Sequence, residues 1–327
     1  MKTKMTVVVG LGVVVLATAA FHIGSAQPSS DRTVTKADYE RWKTELSNWA
    51  RWGPDDERGA LNLITPEKRR QAAGLVRDGV AVSMALEMDT EEAVDNAIPF
   101  EQEFYRVGGD EWTIHAHGAG LTHVDALTHM FDDGKSYNGY APTEEEMLTT
   151  GPAKGSITVM RNGIMTRGIL LDMPRLKGVE YLEPGTGIFP EDLEAWERQA
   201  GVTVGAGDAL FVRTGRWARR ATVGPWSVHQ EVAGLDPSCI PWLRERDVAL
   251  LGSESSQDVA PPPGELPRLS LHDFAMIYLG VHVLDNMDLT AVSEAAAERN
   301  RWEFLVTFSP LIVRGGTGAA INPIATF

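Results

Sequence analysis

One cysteine is all the chain offers. Cys239 stands alone among 327 residues, so no internal disulfide can form and a thiolate-rich metal site is excluded. Positive charge is also scarce: 30 lysines and arginines face 45 aspartates and glutamates, for a formal net charge of −15. A nucleic-acid partner needs a basic face, and docking on anionic lipid needs the same, so neither fits this balance. After the first thirty residues there is no apolar run long enough to span a membrane. Repeats and low-complexity tracts are missing too. What remains, 43% hydrophobic and 23% charged, is the composition of a globular protein with a sizeable core.

The N-terminus is different. Lys2 and Lys4 precede an apolar stretch from Met5 to Phe21, followed by Gly24-Ser25-Ala26 and a polar exit. That order is the layout of a secretory signal peptide cut after Ala26, which points to a secreted or periplasmic protein; an uncleaved anchor is the alternative. Residues 1–26 are assigned to the signal peptide, 27–50 to a polar lead-in carrying a short helix, and 51–327 to the main domain. With the leader removed, no membrane contact is expected.

Punctuation organises the main domain. Thr65 and Pro66 open a helix that ends before Gly79. Residues 80–87 read as a strand, and 88–109 as an acidic, irregular surface excursion. Thr143 with Glu146 three residues on is a capping box. SITVMRN and GILLDM read as short strands, ALFVRTG and VALLGS as buried ones, and VHVLDN as another. Helices are expected over PEDLEAWERQA (closed by Gly201), IPWLRERD, SLHDFAMIYLG and LTAVSEAAAERN. The C-terminal segment reads as a long strand or hairpin running into a Gly-rich turn. These elements mix without regular βαβ spacing, so the expected class is mixed α/β, a sheet-rich single domain.

Histidine is the residue with a telling distribution. Four of the eight histidines fall in HAHGAGLTHVDALTHM, residues 115–130. In extended backbone alternate residues share a face, so His123, Asp125 and His129 point the same way. If the chain turns helical after Asp125, Asp125 and His129 at i and i+4 still share a face. His117 has the same parity, across glycines that bend the path, and His115 reads as a strand neighbour. Neutral imidazole and carboxylate suit zinc, manganese or iron(II), with water filling open positions. Downstream, His272 opens a helical stretch and Asp285 ends a strand. His282 alternates with Val281 and Val283 as a core or rim histidine, and His229 has no assignment.

The blocks around this window carry a resemblance. HG-x-G-x-TH-x-DAL-x-H, followed by the turn Tyr137-Asn138-Gly139, is similar to the larger members of the metal-dependent cyclase family, which includes bacterial kynurenine formamidases and isatin hydrolases. The likeness continues through WGPDDERGALNLIT, GILLDMPRLKGVEYLEPG, GDALFVRTGRW and WEFLVTFSPLIVRGGTGAAINPIA, from about Trp52 to the C-terminus. It implies a swivelling β/β/α fold, a homodimer, and one or two divalent ions, zinc or manganese. It further implies that His123 and Asp125 bind metal, with Asp125 bridging where there are two ions, that His129 is the general acid/base, and that His272 is a downstream ligand. Two positions depart from the pattern. The first histidine of the shorter members' H-x-G-T-H-x-D-x-P-x-H falls at Ala119, so His117 is expected to serve instead. The downstream glutamate is Asp285 here, one methylene shorter.

The activity so implied is metal-assisted hydrolysis of an amide or cyclic amide in a small-molecule substrate. A lactone or ester hydrolase with the same site is the nearest rival, and a secreted metal-binding pseudo-enzyme, suggested by Ala119 and Asp285, is the other. Trp52, Phe104, Tyr137 and Asn138 are candidates for the wall of a substrate pocket, each also explicable as packing or turn chemistry.

Overall fold

The computed structural model describes residues 33–327, which form one compact unit. The expected leader, residues 1–26, lies outside the described residues. A curled nine-stranded sheet runs in the order Ala81–Ser83, Ile324–Thr326, Glu303–Phe308, Ile164–Asp172, Ala209–Arg213, Leu250–Ser253, His282–Asp285, His123–Asp125, Gly318–Ala320. The run from Ile164–Asp172 to His282–Asp285 is parallel. The strands on either side of it pair antiparallel.

This arrangement follows from the side chains. Leu250–Ser253 and His282–Asp285 are buried at every position, as expected of parallel strands covered on both faces. Glu303–Phe308 alternates instead, with Phe304, Val306 and Phe308 buried and the residues between them half-buried, the period-two signature of a strand with one face on the core. The helix Pro66–Ala73 starts where its punctuation says, with the Thr65 hydroxyl accepting from Lys68 N–H, and packs across Ile164–Asp172 and Glu303–Phe308. The helix Pro190–Ala200 closes at Gly201. Its Trp196 is fully buried, and the indole N–H donates to Leu170 O at 2.8 Å. Burying a side chain of that size contributes roughly 3 kcal/mol.

The lead-in is part of the same packing. Helix Lys36–Glu45 is capped by Thr35, and buried Tyr39 donates its hydroxyl to Ser270 O at 2.8 Å. Asn48 donates to Leu279 O at 2.9 Å and Trp49 to Ile277 O at 2.6 Å. These bonds clamp the segment that carries His272.

The local expectations that the structure overturns do so for identifiable reasons. The excursion at 88–109 carries most of a hairpin, Glu101–Arg106 with Gly109–Thr113. Nearly all of its residues are exposed, so there was no apolar period to detect. SITVMRN is a 3-10 turn, Ile157–Met160, rather than a strand. Ile157 N–H donates to Gly316 O and the chain buries Ile157 and Met160, so tertiary packing overrides β-branched propensity. The helix from Pro66 stops at Ala73, short of Gly79. The C-terminal reading holds in part: Glu303–Phe308 and Ile324–Thr326 of that segment pair antiparallel, whereas Gly318–Ala320 between them leaves to pair with His123–Asp125.

One ion pair ties residues 48–52 to the end of a helix. Arg51 grips Asp247 with two bonds, of 2.6 and 2.8 Å, and these hold the Asp247 carboxyl below its usual range against a smaller opposing effect of burial. Because the folded pKa is depressed, the stabilisation is present above the unfolded value of about 3.9 and is lost as pH falls through the folded value. Asp247 has φ of 51°, a conformation asparagine also tolerates. Asp247→Asn is therefore expected to cost about 1 kcal/mol at neutral pH, roughly 2 °C in Tm, and the difference should vanish in strong acid. Thermal denaturation of both proteins across that range checks this.

Candidate metal centre

Period-two geometry builds the centre. His123 and Asp125 lie on one face of their short strand, with fully buried Val124 on the other. Strand His282–Asp285 pairs on one side and places Asp285 directly opposite His123. Strand Gly318–Ala320 pairs on the other and places Gly318 opposite Asp125. A Cβ at Gly318 would come within 2.6 Å of the His117 ring, so glycine there is what lets His117 lie over the strand. After Asp125 the chain neither stays extended nor turns helical. His129 N–H donates to Ala126 O at 2.9 Å, and this turn brings His129 Nε2 to 3.9 Å from Asp125 Oδ2.

Two groups of ligand atoms share Asp125. His117, His123 and Asp125 form one, Asp125, His272 and Asp285 the other, and within each group the atoms lie within 4.8 Å of one another. His117 Nδ1 meets Asp125 Oδ1 at 2.8 Å, with its Nε2 3.0 Å from the Thr317 hydroxyl. His123 Nε2 is 3.6 Å from Asp125 Oδ1. His272 Nε2 is 3.4 Å from Asp125 Oδ2 and 4.0 Å from Asp285 Oδ2. The donor set is nitrogen and oxygen from residues taken out of water, which fits a divalent cation.

Neighbours aim these donors. His123 Nδ1–H donates to Leu121 O at 3.2 Å, leaving Nε2 as the free lone pair. His272 Nδ1 pairs with Asp273 Oδ1 at 3.3 Å. Its short helix Ser270–Phe274 begins on the Asp258 carboxylate, which accepts Leu271 N–H at 2.7 Å and His272 N–H at 2.9 Å. Burial pushes the Asp258 carboxyl up to about 7 against those bonds. Gln257 donates to Asp285 Oδ1 at 2.6 Å. Asn286, next in the chain, is held by buried Arg216 at 2.6 Å.

Electrostatics sharpen the picture. Burial opposes ionisation of Asp125, but the His117 and His272 bonds outweigh it and hold the carboxyl well below the usual range. Burial raises the Asp285 carboxyl, and the nearby Asp125 charge adds to that. His272 is disfavoured as a cation by burial, yet the carboxylates around it lift it well above the ordinary imidazole value. His129 is lowered to about 4, by burial first and by the neighbouring imidazoles after it.

Each residue singled out in the sequence has a definite place. His117, His123, Asp125, His129, His272 and Asp285 come together. Their side chains differ in access: His123, Asp125 and His272 are almost wholly buried, whereas His117 and His129 are each 28% exposed, with rings stacked 3.6 Å apart. His115 is exposed beside a turn rather than in a strand. Tyr137 and Asn138 line a cavity of about 230 Å³ with Leu127 and Thr128. Both are also committed elsewhere, Tyr137 donating to Asp56 at 3.0 Å and Asn138 bonding Ala50, Gly53, Pro54 and Asp56. Trp52 packs half-buried against the core beneath the Arg51 guanidinium. Phe104 stands on the hairpin, 72% exposed.

His282 is the core histidine its strand alternation suggests, fully buried, and its Nδ1 meets the Asp125 carbonyl oxygen at 2.9 Å. Gln257, Asn286, Arg216, Asp258, Thr317 and Gly318 escaped sequence reasoning. One signal was there: the polar run Glu254–Asp258 directly follows the buried strand Leu250–Ser253 of a parallel sheet, the end at which such sheets carry their sites.

Gly318→Ala is expected to push the His117 ring aside, weakening retention of a divalent cation by roughly 10–100-fold while Tm moves little. Competition against a chelator of known affinity measures this.

Comparison with known proteins extends these observations. No curated protein matches the sequence. Among solved structures, one described as a novel cyclase shares 28% identity with a TM-score of 0.78, over 87% of this chain and 99% of that one. An isatin hydrolase bound to the product analogue thioisatinate superposes with a TM-score of 0.53 at 19% identity, over 77% of this chain and 93% of that one. Isatin hydrolase A from Ralstonia solanacearum does so at 0.53 and 18%, over 78% and 93%. The cyclase family model matches residues 80–257, more than half of the chain, from the start of the sheet through the histidine-rich strand to Gln257. The chain belongs to the cyclase family.

Proposed function

We propose that the protein is a metal-dependent hydrolase that opens an amide or cyclic amide of a small-molecule substrate. The observation that carries this reading is the buried carboxylate of Asp125 shared by two ligand clusters, with one half-exposed imidazole, His129, beside it and in neither cluster. In this reading His117, His123, Asp125, His272 and Asp285 hold one or two divalent ions, zinc or manganese, with Asp125 common to both positions. When bound, such an ion polarises a carbonyl and brings the pKa of water close to neutrality.

The residues of the chain supply the rest. His129, lowered to about 4, is a neutral imidazole at physiological pH and has a lone pair ready for a proton. It accepts the proton of the attacking water as that oxygen bonds to the carbonyl carbon, then delivers it to the leaving nitrogen as the C–N bond breaks. His123 and His272 are locked by their outer nitrogens, so neither ring turns away during the reaction. An apolar cavity of about 480 Å³, lined by Ile114, Ala116, Met147, Leu311, Val313 and the stretch 315–320, borders the centre through Thr317, which bonds His117. It suits the hydrophobic body of an aryl amide. Isatin hydrolases share the fold, and isatin is itself a cyclic amide.

His129→Ala is expected to lower kcat by roughly 10²–10⁴-fold with metal content unchanged. Near-wild-type turnover by a metal-replete variant would remove His129 from the mechanism. Chelation should abolish turnover, and zinc or manganese should restore it. A panel of formanilides, isatin-like rings and lactones tests the bond cleaved. Faster turnover of the amides supports this reading, whereas a preference for lactones would reassign the enzyme to C–O bonds. Bound metal with no turnover across the panel would make it a binding protein.

A further inference from the structure

We propose that a second cavity, lined by none of the candidate metal ligands, binds a small phosphate-bearing anion between Arg58, Arg69 and Arg161. The cavity is about 350 Å³, in the lower part of the ~300–1,000 Å³ range of small-molecule sites. Its apolar floor includes Leu61 and Ile64, and Thr158 and Asn162 add polar groups at the wall. No aspartate or glutamate lines it, although acids outnumber bases 45 to 30 in this chain.

Elsewhere in the molecule, arginines reach for carboxylates: Arg51 for Asp247, Arg167 for Asp208 and Glu303, Arg220 for Asp95. Arg58, Arg69 and Arg161 have no acidic partner among the described residues. Three positively charged residues that line one hollow repel one another, and no carboxylate among the described residues pairs with them there. A doubly charged anion in the hollow would offset that repulsion.

The three arginines arrive on separate pieces of backbone that are each firmly placed. Arg58 precedes the 3-10 turn Gly59–Leu63, whose Gly59 packs so closely on Gly280 that a Cβ would come 2.2 Å from Gly280 O. Gly59 N–H also donates to Asp56 at 2.9 Å. Arg69 lies on the helix Pro66–Ala73, and Arg161 caps the turn Ile157–Met160. Phosphate is favoured over carboxylate because each guanidinium presents a planar fork of donors. One carboxylate occupies a single fork, whereas the terminal oxygens of a phosphate can meet several.

Isothermal titration of the purified full chain, as isolated and at low ionic strength, tests this with inorganic phosphate and glycerol 2-phosphate. Succinate and glutarate at matched ionic strength are the controls. Saturable binding of a phosphate is expected, tighter than that of either control and weakened roughly tenfold or more by Arg161→Ala and by Arg69→Ala. His123→Ala should leave it unchanged. Arg161→Lys, which keeps the charge but not the fork, should fall between wild type and alanine, and thermal denaturation confirms that each variant is folded. A preference for glycerol 2-phosphate would assign a phosphate ester, and a preference for inorganic phosphate the free ion; either supports the site. No saturable binding at millimolar ligand, equal binding of all four anions, or loss in His123→Ala but not in the arginine variants would each overturn it.

Discussion

A single ionised carboxylate, kept out of water, is the constraint on which the centre depends. Asp125 is 1% exposed, and a carboxylate so placed costs several kcal/mol unless charge and hydrogen bonds are brought to it. His272 brings both, His117 brings a hydrogen bond, His123 and His129 lie 3.6 and 3.9 Å from the carboxylate, and His282 holds the carbonyl of the same residue. These imidazoles come from the strand itself, from the turns before and after it, from a short helix and from a neighbouring strand. The sheet order is therefore a condition of the chemistry. Without His282–Asp285 on one side and Gly318–Ala320 on the other, Asp125 would be both solvated and unaccompanied.

Around that carboxylate lies a layer of buried polar groups that hydrogen-bond one another. Glu254 accepts the N–H groups of Thr214, Gly215 and Arg216 on one oxygen, although burial raises its carboxyl. Arg216 donates to Glu254 O and to Asn286; burial lowers it to about 10, which still leaves it charged at neutrality. This layer occupies the ends of the parallel strands and holds Asp285 in place through Gln257 and Asn286. Arg216 Nε and Nη2, Glu254 Oε1 and Gln257 Oε1 find no hydrogen-bond partner among the described residues, so the network around the centre is only partly satisfied by the protein itself.

Much of the site was legible in the residues themselves. Two-residue alternation put His123 and Asp125 on one face whatever followed, because that geometry is local. The capping of the helices at Thr65 and Thr143 was equally local, set by a side-chain oxygen within three residues of the N–H it accepts. Gly201 closing its helix was of the same kind. The turn at Ala126–His129 was not legible, since extended and helical backbones both kept His129 near Asp125 and the observed turn is a third solution. His282 reads as a core or rim histidine and is fully buried, but its partner is a carbonyl 157 residues away, which no periodicity reports. The exposed hairpin at 101–113 escaped for the opposite reason: with both faces in water, its sequence has no pattern to show.

By itself, then, the sequence determined the chemistry on offer: nitrogen and oxygen ligands only, gathered in one window, on an acidic chain with a single thiol. It also determined the helix starts and the buried strands, which depend on contacts a few residues apart. Only the tertiary structure decided which groups meet. It placed Asp285 opposite His123, turned His272 onto the shared carboxylate, and opened space for His117 over Gly318. It also drew three arginines, without an acidic partner among the described residues, around one hollow. Those outcomes rest on strand order and on helices packed against the sheet, and pairings across a hundred residues or more are set by the core as a whole rather than by any local stretch of chain.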